Sequence, residues 1–332
     1  MSSLPSPYFQ LIYKGVDISS ELAPMLISCG YTDHHHGEVD EIDVEVQDKD
    51  GRWKGSWKPE PGDIMQLTIF DGVGGVLPCG EFELDEPEAS GSRDGDTMTI
   101  RGLAAPITKK LRTENTKAFE KQKLQAIVNQ VAGQNGLSIE GQIDDLFFER
   151  VTQRRERDLE FLTRLAEETG HYFTVKGNQA IFTNFQSVDG RGPALAIFHG
   201  DRQLLSYSLK QQTADTYSKA KVSYLDQKKK ETTRYEEEDS EIKTGDELKV
   251  AGERMESKTH AQARAKSELH YKNRKSNSGT VELVGNVNVI AGNTFELVGF
   301  GQYSGKRLFE KATHSMTRDG YTCSGEFVDA RG

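Results

Sequence analysis

Cysteine is scarce in this chain: Cys29, Cys79 and Cys323 are the only three in 332 residues, far apart and without a Cys-x-x-Cys pair. That excludes a disulfide framework or a cysteine-built zinc site as the organising device, and it suits synthesis in a reducing compartment. Proline is also rare, nine residues against 32 glycines, a balance that favours hairpins over stiff proline-rich linkers. No apolar run approaches the length that crosses a bilayer. The opening Met1-Ser2-Ser3-Leu4-Pro5 lacks a basic segment followed by an apolar core, so no export signal and no membrane insertion are expected. Positive charge is in deficit, with 42 Lys and Arg against 52 Asp and Glu and a formal charge of −10. Specific nucleic-acid binding, which rests on cations neutralising phosphates, is therefore not expected.

Catalytic signatures are missing as well. There is no Gly-x-Ser-x-Gly elbow and no HExxH helix. The glycine clusters Asp71-Gly72-Val73-Gly74-Gly75 and Gly299-Phe300-Gly301-Gln302-Tyr303-Ser304-Gly305 open no helix and precede no Gly-Lys-Ser/Thr, so they read as hairpin connections rather than phosphate loops. His34-His35-His36 is the obvious metal candidate. Neighbours in a strand point to opposite faces, however, and no second ligand motif accompanies them, so a polar loop is expected. His171, His199, His260, His270 and His314 occur singly, with His314 reading as a structural imidazole in a strand. Glu167-Glu168 is the nearest thing to a hydrolase-like acidic pair, but it sits at a helix end before Gly170, where solvated carboxylates are expected. No catalytic, cofactor-binding or metal-ligating residue is assigned, and no cofactor is expected.

What the chain does contain is a repeat. A Gly-initiated strand from Gly62 to Phe70 is followed by Gly80-Glu81-Phe82-Glu83-Leu84 and then by Arg93-Asp94-Gly95-Asp96-Thr97-Met98-Thr99-Ile100. The same order returns in Gly292-Asn293-Thr294-Phe295-Glu296-Leu297-Val298, then Gly305 leading to Leu308-Phe309, then Arg318-Asp319-Gly320-Tyr321-Thr322-Cys323. The interval from Gly80 to Arg93 equals that from Gly305 to Arg318. Two unrelated hairpins with similar turns are the alternative, since Asp-Gly turns are common; order and spacing together favour duplication. One site suffices for catalysis, whereas a ring needs repeated walls.

Between the repeats the hydrophobic period changes. Residues 38–47 alternate, with Ile42, Val44 and Val46 on one face. From Ala105 onward, Phe119, Leu124, Ile127, Val128, Val131 and Ala132 fall on one helical face, closed by Gly133 and Gly136. A second helix begins at Asp158 as N-cap, buries Leu159, Leu162, Leu165 and Ala166, and stops at Gly170, ahead of a hairpin over 172–182. Residues 203–225 alternate again and are expected to pair with the first module. The charge-segregated stretch Lys228-Lys229-Lys230 to Glu236-Glu237-Glu238-Asp239 reads as a solvated hairpin or loop. A third helix, 258–273, starts at Ser257 or Thr259 and carries a thin stripe of Ala261, Ala265 and Leu269. The expected fold class is α+β, mainly β. Its parts are a first antiparallel β-barrel module at 1–104 completed by about 195–227, an inserted α+β domain with two helices at 105–190, and a second barrel module with one helix at 228–332.

Four stretches carry a family likeness: residues 123–132 with Asn135-Gly136-Leu137; residues 157–170 with the hairpin ending Ala180-Ile181-Phe182; residues 289–297; and Ala312-Thr313-His314-Ser315-Met316 with Gly320-Tyr321-Thr322-Cys323. In this order they resemble the late control protein D family, the baseplate hub proteins of contractile phage tails and R-type bacteriocins. The resemblance implies a structural protein rather than an enzyme. It implies a homotrimer in which each chain supplies two tail-tube-like barrels, so that three copies present six walls and join a sixfold tail tube to a threefold membrane-piercing spike. The implied partners are a spike protein, the tail tube protein, other baseplate proteins and possibly tape-measure proteins. The implied location is the bacterial cytoplasm during assembly, then the baseplate of the phage tail or tail-like particle. Two alternatives stay open: a hub that also cleaves peptidoglycan, with Glu167 or Glu168 as acid, and the hub region of a secretion-system spike protein.

Overall fold

The computed structural model describes residues 6–93, 95–104, 113–226, 231–242, 245–250 and 257–331. Asp94 of the first turn, the start of the helical period at 105–112 and the cluster Lys228-Lys229-Lys230 lie outside the described residues.

The first repeat comprises β1 (Tyr8–Tyr13), β2 (Val16–Asp17), a single helical turn α1 (Ser19–Leu22), β3 (Leu26–His34), β4 (Glu41–Gln47), β5 (Ile64–Phe70), β6 (Val76–Ser92) and β7 (Gly95–Leu103). Alternation sets the faces: Ile42, Val44 and Val46 are buried, and the acidic residues between them point outward. Leu11, Tyr31, Met65, Leu67, Phe82, Leu84, Met98 and Ile100 complete that core.

The inserted part contains β8 (Asn115–Lys123), α2 (Leu124–Gln134), β9 (Ser138–Glu140), β10 (Phe147–Glu156), α3 (Asp158–Thr169), β11 (His171–Lys176), β12 (Gln179–Asn184) and the short α4 (Phe185–Asp189). Two expectations need correction. Phe119 belongs to β8, not to the helix, and stacks on Phe161 with ring centroids 5.4 Å apart. Asp158 is not the cap of α3: Arg157 holds that position, and its N–H donates to Glu160 at 2.9 Å in a capping box. Asp158 instead turns inward and accepts amide hydrogen bonds from Asn115, Asn135 and Gln153. Gly170 ends the helix at φ +79°.

The remaining chain forms β13 (Leu195–Phe198), β14 (Leu204–Gln211), β15 (Tyr217–Asp226), β16 (Glu231–Glu238), β17 (Asp246–Val250), α5 (Lys258–Asn273), β18 (Asn277–Val284), β19 (Thr294–Val298), β20 (Gly305–Thr317) and β21 (Gly320–Asp329). The strands of 195–211 do not pair with the first repeat: β13 runs parallel to β19 and β14 antiparallel to β18, both in the second. Strand β15 leaves the main sheet and joins β16 and β17 in a small sheet. Ala220 and Val222 of that sheet pack on the Ala261, Ala265 and Leu269 stripe of α5. Ser257 caps α5, its hydroxyl accepting from the His260 N–H at 3.1 Å.

Both repeats belong to one sheet of thirteen described strands, in the order β14-β18-β21-β20-β3-β4-β7-β6-β5-β1-β2, with β19 beside β20 and β13 beside β19. The repeats meet where β3 pairs with β20.

Candidate functional site: the seam between two repeats

The duplication holds at the level of strand register. In the first repeat β5 pairs with β6, β6 with β7, β7 with β4 and β4 with β3; in the second, β19 pairs with β20, β20 with β21, β21 with β18 and β18 with β14. Leu67 faces Gly80 as Leu297 faces Gly305, and Val46 faces Met98 as Leu283 faces Cys323. The irregularities match as well. Against its β7-type neighbour each β6-type strand shifts register at the same place, between Leu84 and Glu86 and between Phe309 and Lys311. Each β3-type strand shifts between Leu26 and Ser28 and between Leu204 and Ser206. Even the entry bonds agree: the Gly62 N–H donates to Leu84 C=O at 2.8 Å, and the Gly292 N–H to Phe309 C=O at 2.8 Å. Both glycines have positive φ, +92° and +87°, a conformation that a Cβ would strain.

At the seam, β3 runs antiparallel to β20 from Lys311 opposite His34 to Thr317 opposite Ser28. Cys29, Tyr31, Asp33, Ala312, His314 and Met316 are buried there. His314 is structural: Nδ1 lies 2.7 Å from the Tyr321 hydroxyl and Nε2 2.8 Å from Val289 C=O, and burial pulls its pKa down.

The inserted part is fastened to this seam by buried polar groups. Asp33 accepts from the Ala291 N–H at 2.8 Å and from Lys176. Asp40 accepts from the His34 N–H at 2.9 Å and the Tyr31 hydroxyl at 3.0 Å, with Lys176 3.6 Å away. Burial pushes Asp40 up to about 7. The same burial opposes charge on Lys176, but Asp33 and Asp40 more than offset it and hold the ammonium above its ordinary range. Alongside, Arg274 lies over the Tyr172 and Tyr271 rings and reaches Glu310 of β20 at 2.5 Å.

The histidine run is therefore no exposed loop. His35 is buried against Tyr172 at 4.1 Å between ring centroids, and burial drives its pKa well down, so the ring is neutral. His36 Nδ1 accepts from the Phe173 N–H at 3.0 Å, which assigns the ring proton to Nε2. Nε2 points at the Tyr271 hydroxyl, 3.1 Å away, and at Glu167, 3.4 Å away. Both nitrogens of His36 are thus committed to the junction. Among the described residues no group of three or more His, Cys, Asp or Glu is placed to hold a metal ion.

Of the acidic pair, Glu167 keeps the exposure expected of a helix end, its side chain 51% exposed, whereas Glu168 is largely covered. Glu168 contacts Arg164 at 3.0 Å and Arg264 at 3.7 Å. Glu167 is held below its ordinary range by its hydrogen bond to His36. That is the opposite of what a general acid requires. The glycine clusters connect β5 to β6 and β19 to β20, as expected of hairpin loops. Among the described residues no helix is long and apolar enough to cross a membrane. What sequence reasoning missed is that β3, β4, β14 and β18 also belong to the repeat; the alternation at Ile42, Val44 and Val46 with its counterpart at Val281 and Leu283 was the available signal.

Comparison with known proteins agrees with this architecture. The profile of the family described as phage tail baseplate hub (GPD) matches residues 79–320. The probable baseplate hub protein of Escherichia phage P2 is 32% identical over 181 residues, 53% of this chain and 45% of that protein; the chain thus spans about half the length of this curated relative. The 43 kDa tail protein of prophage MuSo2 from Shewanella oneidensis superposes with a TM-score of 0.72 at 17% identity, covering 98% of this chain and 99% of that one. A component of the type VI secretion system of E. coli superposes with a TM-score of 0.58 at 12% identity, covering 92% and 73%. With its profile match spanning the end of the first repeat, the whole inserted part and most of the second repeat, this chain belongs to the phage tail baseplate hub (GPD) family.

Proposed function

We propose that this hub protein works as a trimeric ring whose six like walls, two from each chain, join a sixfold tail tube to a threefold spike. The observation that carries the reading is the matched register of the two repeats within a single sheet. Two walls already sit side by side in one chain through the β3–β20 seam, and three such pairs are the smallest set that presents both symmetries. On this reading the chain divides into a first wall at 8–103, an inserted α+β unit at 115–190 and a second wall at 195–211 with 277–329. The β15–β17 sheet and α5 are then a second insertion, inside the second wall. The protein is structural: Glu167 and Glu168 are tied to His36 and arginines rather than poised for proton transfer. Assembly takes place in the bacterial cytoplasm, with spike, tube and other baseplate proteins as partners.

Light scattering on the purified chain tests the oligomer, with a trimer expected. Images down the particle axis should show six lobes around a channel. A stable monomer at micromolar concentration, or a ring of another order, would overturn the proposal. Loss of peptidoglycan turbidity on incubation with the protein would restore the hydrolase alternative.

A further inference from the structure

The internal seam has an external twin. Along β20, residues Lys311 to Met316 hold β21 on one side and β3 on the other. Register places Glu86 to Gly91 of β6 at the equivalent positions: Glu86 faces Arg101 as Lys311 faces Glu326, and Pro87 faces Ile100 as Ala312 faces Gly325. Strand β7 covers one side of this segment. On the other side β5 pairs only as far as Glu83, and among the described residues no strand follows it. The counterpart of β3 is β14, which pairs with β18 and ends the sheet among the described residues. Exposure records the difference. Cys29 and Tyr31 are 0% and 3% exposed, whereas Tyr207, the counterpart of Cys29, is 46% exposed.

We infer that β14 of one chain pairs antiparallel with residues 86–91 of β6 in a neighbouring copy, in the register of the internal seam. This rests on the ring reading above and specifies which edges close it. Transferring the seam register residue by residue sets Pro87 opposite Gln211, Glu88 opposite Lys210, Ala89 opposite Leu209, Ser90 opposite Ser208 and Gly91 opposite Tyr207. The faces then sort themselves. On the side that is buried at the internal seam, the small Ala89 and Gly91 meet the large Leu209 and Tyr207. On the other side polar residues meet polar ones, and Glu88 meets a lysine. Pro87 leaves one ladder bond unmade, because its counterpart Ala312 directs its N–H toward β3. A proline on an open edge also discourages pairing in other registers.

The test is a disulfide in the full chain. The His35 N–H donates to Glu310 C=O, so by alternation Gly30 and Ser315 form a non-hydrogen-bonded pair, and Ser90 with Ser208 is its twin. Such pairs have Cα atoms about 4.5 Å apart, within disulfide reach. The native cysteines are buried, so Ser90→Cys with Ser208→Cys adds the only exposed thiols among the described residues. Mild oxidation should give a covalent closed trimer on a non-reducing gel, with no longer ladder. Ser90→Cys with Ser206→Cys, two residues out of register, should link markedly less. A chain that is trimeric by light scattering but fails to link through Ser90 and Ser208, or that links better through Ser206, overturns this interface and leaves the ring intact. A monomer overturns both. As a second readout, Glu88→Lys and Lys210→Glu should each weaken the trimer, and the double swap should restore it; additive weakening counts against the register.

Discussion

Asp189 ends the inserted part in a buried place. Its side chain is fully buried beneath the Tyr172 hydroxyl at 3.3 Å, with His270 Nε2 3.2 Å from its second oxygen. Burial pushes its pKa up to about 7, and the same burial holds His270 well below its ordinary value, so the imidazole supplies no countercharge. The unfolded chain releases the Asp189 proton near pH 4, at the ordinary carboxylate value, while the folded chain keeps it to about pH 7. The folded state therefore binds more protons across that window. This group's contribution falls as pH rises from about 4 to 7 and is level above, a loss on the order of a few kcal/mol. Asp189→Asn removes the titration but keeps an oxygen for Tyr172. Its stability relative to the parent, measured as the urea midpoint at each pH, should climb between pH 4 and 7 and then plateau. A difference that is flat with pH would show that Asp189 is ionised in the folded protein throughout.

At the scale of elements, the two repeats keep one backbone and exchange their bulk. β7 carries Ile100 and Gly102 where β21 carries Gly325 and Phe327. A Cβ on Gly325 would lie 2.3 Å from the Phe309 ring, and one on Gly102 would crowd Met65 and Phe82 at 3.0 and 3.1 Å. Each strand thus alternates one empty and one filled position, in opposite phase. Giving the second repeat the residue of the first, Gly325→Ile, should overpack Phe309 and destabilise by about 1–3 kcal/mol in urea unfolding. Adding Phe309→Leu, the residue type of the first repeat at that place, should recover part of the loss. The same exchange explains what was legible from sequence. Gly80 and Gly305 at φ +104° and +130°, and Gly95 and Gly320 at +127° and +137°, are set by backbone geometry and survive as letters. Packed positions need only a suitable total volume, so Ile42 matches Gly279, and the buried Cys29 matches Tyr207 on an exposed edge, pairs that no residue-by-residue comparison would align. The β15–β17 sheet and α5 also separate β14 from β18, whereas only a short turn separates β3 from β4. Phe119 was misplaced because it falls in phase with a helix that starts at Leu124. The buried role of His34-His35-His36 depends on β11 and α5, distant segments whose approach no local pattern reveals.

At the scale of the whole molecule, the internal and external seams should differ in one measurable respect, their dependence on concentration. The β3–β20 ladder lies within one chain, so its amides need no partner copy. By alternation from the His35–Glu310 bond, Cys29, Tyr31 and Asp33 direct their N–H groups into that ladder, as Tyr207, Leu209 and Gln211 direct theirs out of β14. On β6 the outward donors are Ala89 and Gly91, since Pro87 has none. Hydrogen exchange followed by mass spectrometry should therefore find peptides over 28–34 and 311–316 protected at every protein concentration. Peptides over 206–212 and 86–91 should slow only when the chain assembles, and the two should slow together because each supplies the other's acceptors. Protection of 206–212 without change at 86–91 would mean that another surface covers β14. Equal exchange of both segments in free and assembled protein would mean that the copies meet through side chains, with the sheet left open between them.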